Sequence, residues 1–390
     1  MPRHLLEIPP DREGEKSSFL HRLFIFTDLL SRISPAELLP ISAAGVAISC
    51  WPWHAHRVTA AILSALFLLV NGGILTLLPI AGRSWGPVAP PLLGLTAIQL
   101  LLSWLLAWLL PGQSGLVLWS VLNIALTVVA GYATWIEPFR LQITERSINL
   151  GLIAQTGERP LRLLHISDLH FEGFSPREAD LLAAVKTLAP DLIVLTGDYL
   201  NLSSVHDPAS QAATRELLAQ LKAPLGIYAI NGSPAVDVPE IIPRIFAGLP
   251  IHWLSNQTAA IEWQGKTLWL IGLDCTLSWE ADRRRLQELQ QTLPAGSPTL
   301  LLYHTPDLMP DAAAQGIALY LAGHTHGGQL RLPFYGALFT SSRWGKRYEM
   351  GLYREAATTL YVSRGLGMEG LGAPRARFLA PPEIILWELG

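Results

Sequence analysis

Residues 190–199 read PDLIVLTGDY, an apolar run that ends abruptly in a glycine and a carboxylate. A run this short, rich in Leu, Ile and Val and bounded by proline and glycine, predicts a strand buried on both faces. Strands of that kind belong to α/β folds, in which ligands gather at loops beyond the carboxyl ends of the strands. Asp198 stands at such a place.

The flanking sequence continues the alternation. LRLLHIS (161–167) predicts a strand and PREADLLAAVKTLAP (176–190) an amphipathic helix. QAATRELLAQLKA (211–223) reads as a helix, LGIYAI (225–230) as a strand and VPEIIPRIFAGL (238–249) as a helix. Strands follow at 251–254, 258–263 and 267–273, then a helix at 280–293. PTLLLYH (298–304) is a strand, DLMPDAAAQ (307–315) a short helix and IALYLAG (317–323) a strand, and TTLYVS (358–363) and EIILWEL (383–389) close the pattern. Layered sheets with helices outside them are the architecture this order favours.

The N-terminal third differs. Half of the 390 residues are hydrophobic and 15% are charged, yet between Leu38 and Trp135 the charges nearly vanish. A bilayer-spanning helix needs ~20 mostly apolar residues, and the runs 57–80, 89–111 and 115–136 reach that length. LLPISAAGVAISCWPW (38–53) is a shorter fourth run, and Trp51, Trp53, Trp85 and Trp135 lie near span ends, where indole rings favour the headgroup region. Four spans would leave both ends on one side. Arg3, Arg12, Lys16, Arg22 and Arg32 precede them and Arg140 and Arg146 follow, which places both ends in the cytoplasm although Arg57 opposes this. FLHRLFIFTDLL (19–30) reads as an interfacial amphipathic helix. The expected division is an N-terminal segment at 1–37, an integral-membrane region of about four helices at 38–136, a juxtamembrane strand or linker at 137–160 and an α/β domain at 161–390. A net charge of −3 gives no reason to expect a nucleic-acid partner, and Cys50 and Cys275 alone make no disulfide framework.

Ionisable residues recur at the strand ends: Asp168 and His170 after the first, Asp198 after the second, then His304, His324 and His326. Carboxylates and imidazoles from several loops suit first-row divalent ions rather than a thiolate zinc cage. So many donors exceed the needs of one ion and suit two (Mn, Fe, Zn or Mg), with a water activated between them for attack on phosphorus. YAINGSPAVD (228–237) is the anomaly among these loops, with Asn231, Ser233 and Asp237 as its polar side chains and no histidine. DVPE (237–240) has the form of a capping box, which would make Asp237 an N-cap.

DLH, GDY, YHTPD and GHTHGGQ, in this order, resemble the calcineurin-like metallophosphoesterase superfamily over roughly residues 160–390. PDLIVLTGDY, SSRWGKRYEMGLY and YVSRGLG are similar to its membrane-associated branch. That branch contains YkuE-type phosphoesterases, a transmembrane protein with a metallophosphoesterase domain, and UDP-2,3-diacylglucosamine hydrolases of lipid A synthesis. The resemblance implies a four-layer αββα sandwich with a two-metal site at one edge. It implies that Asp168, His170 and His326 hold one ion, His304 and His324 the other, and that Asp198 bridges, with Asp198 and His170 in the catalytic centre. The family's Gly-Asn-His pattern would place a ligand at Ser233, or by a shifted register at Asn231, and the acid histidine at Pro234. Arg343, Lys346, Arg347 and Arg364 are candidates for substrate phosphates. Phe171 and Phe174 are candidates for an acyl groove, whereas His165 and His252 read as structural and His206 as an exposed loop residue. The expected function is membrane-anchored hydrolysis of a phosphoester or phosphoanhydride in a phosphorylated small molecule or a lipid-linked substrate such as UDP-2,3-diacylglucosamine. The alternative is a catalytically degenerate sensor or scaffold that binds metal or phospholipid.

Overall fold

Leu163 and Leu164 are chain neighbours, yet they pack into different hydrophobic cores. This period-two alternation recurs through the strands and builds the layers. In the computed structural model, which describes residues 26–153 and 157–390, two six-stranded sheets lie face to face. The first has the order β1 (Gln142–Ile148), β14 (Glu383–Leu389), β2 (Leu161–Ile166), β3 (Leu192–Leu195), β4 (Ile227–Ala229) and β5 (Ile251–Trp253). The second runs β12 (Gly351–Glu355), β13 (Thr358–Val362), β9 (Leu319–Ala322), β8 (Thr299–Leu302), β7 (Lys266–Gly272) and β6 (Gln257–Trp263).

Leu161, Leu163, Leu192 and Val194 from the first sheet meet Leu268, Leu270, Leu300, Leu302 and Leu321 from the second in the central core. Leu164, Ile166, Ile193 and Leu195 face the other way, onto Leu181, Val185 and Leu188 of the helix Pro176–Leu188 and onto Ile242 and Ile245. Behind the second sheet, Leu301, Tyr320 and Leu360 pack on Leu286, Met309 and Ala312 of the outer helices. Helix, sheet, sheet and helix give the αββα sandwich expected from the sequence. The helix Pro176–Leu188 starts where its residues dictate: Ser175 and Glu178 form a reciprocal capping box, with Pro176 at the first turn.

Two local expectations fail. The helix expected over 238–249 is reduced to Ile242–Phe246, and no cap forms at Asp237, whose carboxylate is engaged elsewhere as described below. The hairpin of β10 (Arg331–Leu332) and β11 (Gly336–Ala337) and the edge strand β12 carry no periodic signal long enough to be read.

The apolar third forms a second compact unit ending at Ile136, joined by the later segment Glu369–Ala376, which the sequence-based division did not include. Its helices are Pro35–Cys50, Arg57–Ile80, Ala89–Leu109 and Gln113–Gly131. The first two are separated by a break at His54, whose φ of 35° and ψ of −95° are not helical. Among the described residues three segments are long and apolar enough to cross a membrane: Ala36–Ile80, which contains that break, Ala89–Leu109 and Gln113–Phe139. Burial in this unit is inverted relative to a water-soluble bundle. Leu69, Leu101 and Trp108 are exposed, while Asn71, Gln99, Ser103 and Asn123 are buried. Ser103 joins the helices by accepting from Trp53 Nε1 at 2.7 Å and donating to the Ser49 carbonyl at 2.6 Å. The basic residues Arg3, Arg12, Lys16 and Arg22 and most of the stretch 19–30 lie outside the described residues.

Candidate metal centre

The strands end at one edge and deliver their following residues to it. Asp168 and His170 follow β2, Asp198 follows β3 and Ser233 follows β4, while His304 follows β8 and His324 and His326 follow β9. Both sheets therefore contribute. Asp168, His170, Asp198, His324 and His326 all have positive φ, between 37° and 70°. Non-glycine residues rarely adopt this conformation, and such strain persists only where surrounding structure holds it, typically at functional sites. Gly323 makes room for the turn: a Cβ there would collide with Asp168 Oδ2 and Ser167 Oγ.

The side chains fall into two groups, Asp168 with His170 and His326, and Asp198 with His304 and His324, each with ligand atoms within 4.8 Å of one another. Asp198 stands between them, its Oδ2 3.2 Å from His304 Nε2 and 3.5 Å from His170 Nε2. Imidazole nitrogens converge, with 3.0 Å between the Nε2 atoms of His170 and His326 and 3.2 Å between His324 Nδ1 and His304 Nε2. Asp168 Oδ2 and His170 Nδ1 are buried without a hydrogen-bond partner among the described residues. Buried polar atoms are rarely left so, and convergent lone pairs with an orphaned carboxylate oxygen suit cations. His304 is oriented for this role, because its Nδ1 pairs with the Thr196 carbonyl at 2.7 Å and so turns Nε2 towards the centre.

Electrostatics point the same way. Burial opposes the charge on Asp198, but the surrounding imidazoles, His304 foremost, outweigh it and hold the carboxyl well below the usual range. Burial likewise pulls His304 down, yet the Asp198 and Asp168 carboxylates push it up to about 10. Asp168 is raised by its own burial, and His326 is held far below its ordinary value by burial and by His170 and Arg377.

The turn after β4 distinguishes the two sequence alternatives. Ser233 Oγ lies 3.3 Å from Asp198 Oδ2, 3.3 Å from His304 Nε2 and 3.4 Å from His324 Nδ1, and its N–H donates to Asp198 Oδ1 at 2.6 Å. Asn231 instead donates to Asp274 Oδ1 at 2.8 Å and accepts from Trp253 Nε1 at 3.1 Å, so of the two alternatives it is Ser233 that the fold brings to the imidazoles. Asp237, expected as a helix cap, is a buried carboxylate that accepts from the N–H groups of Asp198 (2.7 Å), Tyr199 (3.0 Å) and Gly232 (2.6 Å). Burial and the Asp198 charge push it up to about 7. Asp237→Asn would face a backbone N–H with an amide N–H in place of an oxygen. It is expected to cost about 1–3 kcal/mol of stability and to weaken metal binding, measured by chemical denaturation and metal titration.

The candidate arginines each contact protein groups. Arg343 lies over the rings of Trp279 and Trp344, and Arg347 pairs with Glu355; both are exposed. Arg364 adjoins the centre through Gly327 and Gly365 but pairs with Glu383 at 2.6 Å. His165 is buried 2.8 Å from Thr196 Oγ1, His252 stacks on Tyr228 and His206 is exposed. Phe171 is buried, with the exposed Phe174 edge-on against it. Sequence reasoning missed Arg377, whose buried guanidinium donates to the carbonyls of Arg364, Gly367 and Ala380 and lies 3.3 Å from His326 Nδ1. An arginine in PRARF (374–378) carries no sequence signal of burial.

Residues 161–233 match the model of the calcineurin-like phosphoesterases. The uncharacterized metallophosphoesterase YkuE of Bacillus subtilis is 33% identical over 268 residues, covering 66% of this chain and 89% of the relative. The chain belongs to the calcineurin-like phosphoesterase family. Phosphodiesterase YaeI of Escherichia coli is 28% identical, covering 66% of this chain and 92% of its own. UDP-2,3-diacylglucosamine pyrophosphatase LpxG of Chlamydia trachomatis is 25% identical, covering 65% and 91%. The protein is thus a metallophosphoesterase, a hydrolase of phosphoester bonds whose family depends on metal.

Proposed function

We propose that this metallophosphoesterase is anchored in a membrane and cleaves a phosphoanhydride or activated phosphoester of a lipid-linked substrate at a two-ion centre. The observation that carries the reading is the arrangement of two buried ligand groups around Asp198, beside a turn that holds Ser233 and Pro234. Asp168, His170 and His326 would hold one ion and His304, His324 and Ser233 the other, with Asp198 standing between the two groups. Bound divalent ions supply Lewis acidity towards phosphoryl oxygens and a water nucleophile available near neutral pH. The chain's own groups do the rest. The Ser233 N–H fixes one oxygen of Asp198, and the His324 N–H, 2.9 Å from Asp168 Oδ1, fixes the other carboxylate. Pro234, having no N–H and no titratable group, gives the leaving group no proton.

The membrane reading is supported by three helices of spanning length with outward apolar side chains. The lipid-linked class is supported by the likeness to LpxG. A binding-only protein is the second reading, favoured by the turn that lacks an imidazole. Metal analysis of the purified full chain separates them. Two ions per chain, with Mn²⁺-stimulated hydrolysis of a phosphoanhydride that a chelator abolishes, is the expected result. One ion or none, with no turnover, would establish the binder.

A further inference from the structure

An exposed apolar hairpin follows directly on the GHTHGGQ segment. Its strands pair Arg331 with Ala337 and Leu332 with Gly336, and its tip is Pro333, Phe334 and Tyr335. Phe334 is fully exposed and Tyr335 is 60% exposed, with Leu332, Leu338 and Phe339 each more than 40% exposed. Phe334 also has a φ of 64°. A water-facing hairpin tip would use Asn-Gly or Asp-Gly, which tolerate that conformation without presenting a ring to solvent. This sequence bears the strain and the exposure together.

The hairpin is fastened to the metal-binding loop. Arg331 Nη1 donates to the Gly327 carbonyl at 2.6 Å and pairs with Glu349 at 2.9 Å, while Thr325 Oγ1 donates to the Glu349 carbonyl at 2.6 Å. Its surroundings are cationic. From Arg331 to Glu355 the sequence contains five basic residues and two acidic ones; Arg331 and Lys346 pair with Glu349 and Arg347 with Glu355, which leaves a net positive charge, and Arg343, Lys346 and Arg347 are exposed. Lys346 Nζ lies 3.6 Å from the centre of the Tyr335 ring. Apolar and aromatic side chains ringed by Lys and Arg fit the interface of an anionic bilayer, where rings sit at headgroup depth and cations meet phosphate.

We propose that Leu332–Phe339 dips into the bilayer interface with Phe334 deepest, so that the centre takes its substrate from the membrane surface. This rests on the membrane anchoring proposed above, since a tethered unit meets its own bilayer at high effective concentration. Arg343, which lies over the rings of Trp279 and Trp344, then faces lipid headgroups rather than the reacting phosphate.

The test uses the full chain in nanodiscs containing anionic lipid, spin-labelled through single cysteines in place of Phe334, Leu105 (in the helix Ala89–Leu109) or Glu288 (exposed on the helix Trp279–Gln291). Both native cysteines are buried. The label at 334 is expected to collide with oxygen and be shielded from a water-soluble nickel chelate, as at 105 and unlike 288. Chelate access at 334 with a lipid signal at 105 overturns the insertion and leaves the anchor standing; chelate access at both overturns both. Shielding of 334 from both reagents would mean a protein contact, and also overturns it. In parallel, the double variant Phe334→Asp, Leu338→Asp is expected to cut turnover of a bilayer-embedded lipid-linked diphosphate about tenfold and to leave a water-soluble nucleoside-diphosphate anhydride unchanged. Equal loss on both substrates would contradict the proposal.

Discussion

Asp198→Asn is expected to lower kcat at least about a thousandfold and to strip metal in the same step. The carboxylate has two duties that an amide cannot combine. Oδ1 accepts from the Ser233 N–H at 2.6 Å, and Oδ2 faces His304 and His170 at 3.2 and 3.5 Å, where the two ligand groups meet. An amide nitrogen turned towards Ser233 would set donor against donor. Turned the other way, it would present no lone pair to a cation held between the two groups. Asp198 is almost fully buried, so solvent offers no compensation. Elemental analysis and steady-state kinetics on the same preparation, with circular dichroism as a check on folding, decide the matter. Retention of two ions with activity lost would show that Asp198 does not bridge them, and retained activity would remove it from the centre.

The sequence revealed most of this site because its residues lie at strand ends, where a period-two pattern stops and a polar residue begins. Asp168, Asp198, His304 and His324 are each placed by a short buried strand. The turn after β4 was harder to read. Asn231 and Ser233 are two positions apart and a register slip exchanges them; only the amide's engagement by Asp274 and Trp253 separates the two. Asp237 was misread because the local signal in DVPE competes with a longer-range demand. The N–H groups of Asp198 and Tyr199, about 40 residues away in sequence (|i−j| of 39 and 38), need an acceptor at the base of the centre, and spacing cannot show this. The surroundings of the arginines are hidden from the sequence for a related reason. A basic loop does not reveal whether its cations face substrate, aromatic rings or, for Arg364, the carboxylate of Glu383.

The composition of that turn also predicts the substrate's leaving group. General-acid assistance contributes about 10²- to 10⁴-fold when a poor leaving group must depart. At Pro234 no proton is offered, and Ser233 is committed to Asp198 and the imidazoles around it. A phosphate leaving from an anhydride needs no proton, whereas an alkoxide does. The full chain with Mn²⁺ is therefore expected to cleave a nucleoside-diphosphate anhydride about 10²- to 10⁴-fold faster than an alkyl phosphodiester, with aryl diesters between them according to the acidity of the phenol. Pro234→His should narrow that gap from the alkyl side, raising alkyl diester turnover about tenfold or more while barely moving the anhydride rate. A plot of rate against leaving-group pKa reads both effects. A steep slope in the native chain that flattens in the variant supports a centre working without its acid. A flat slope in the native chain would mean that another group already supplies the proton, and the preference for anhydrides would fall with it.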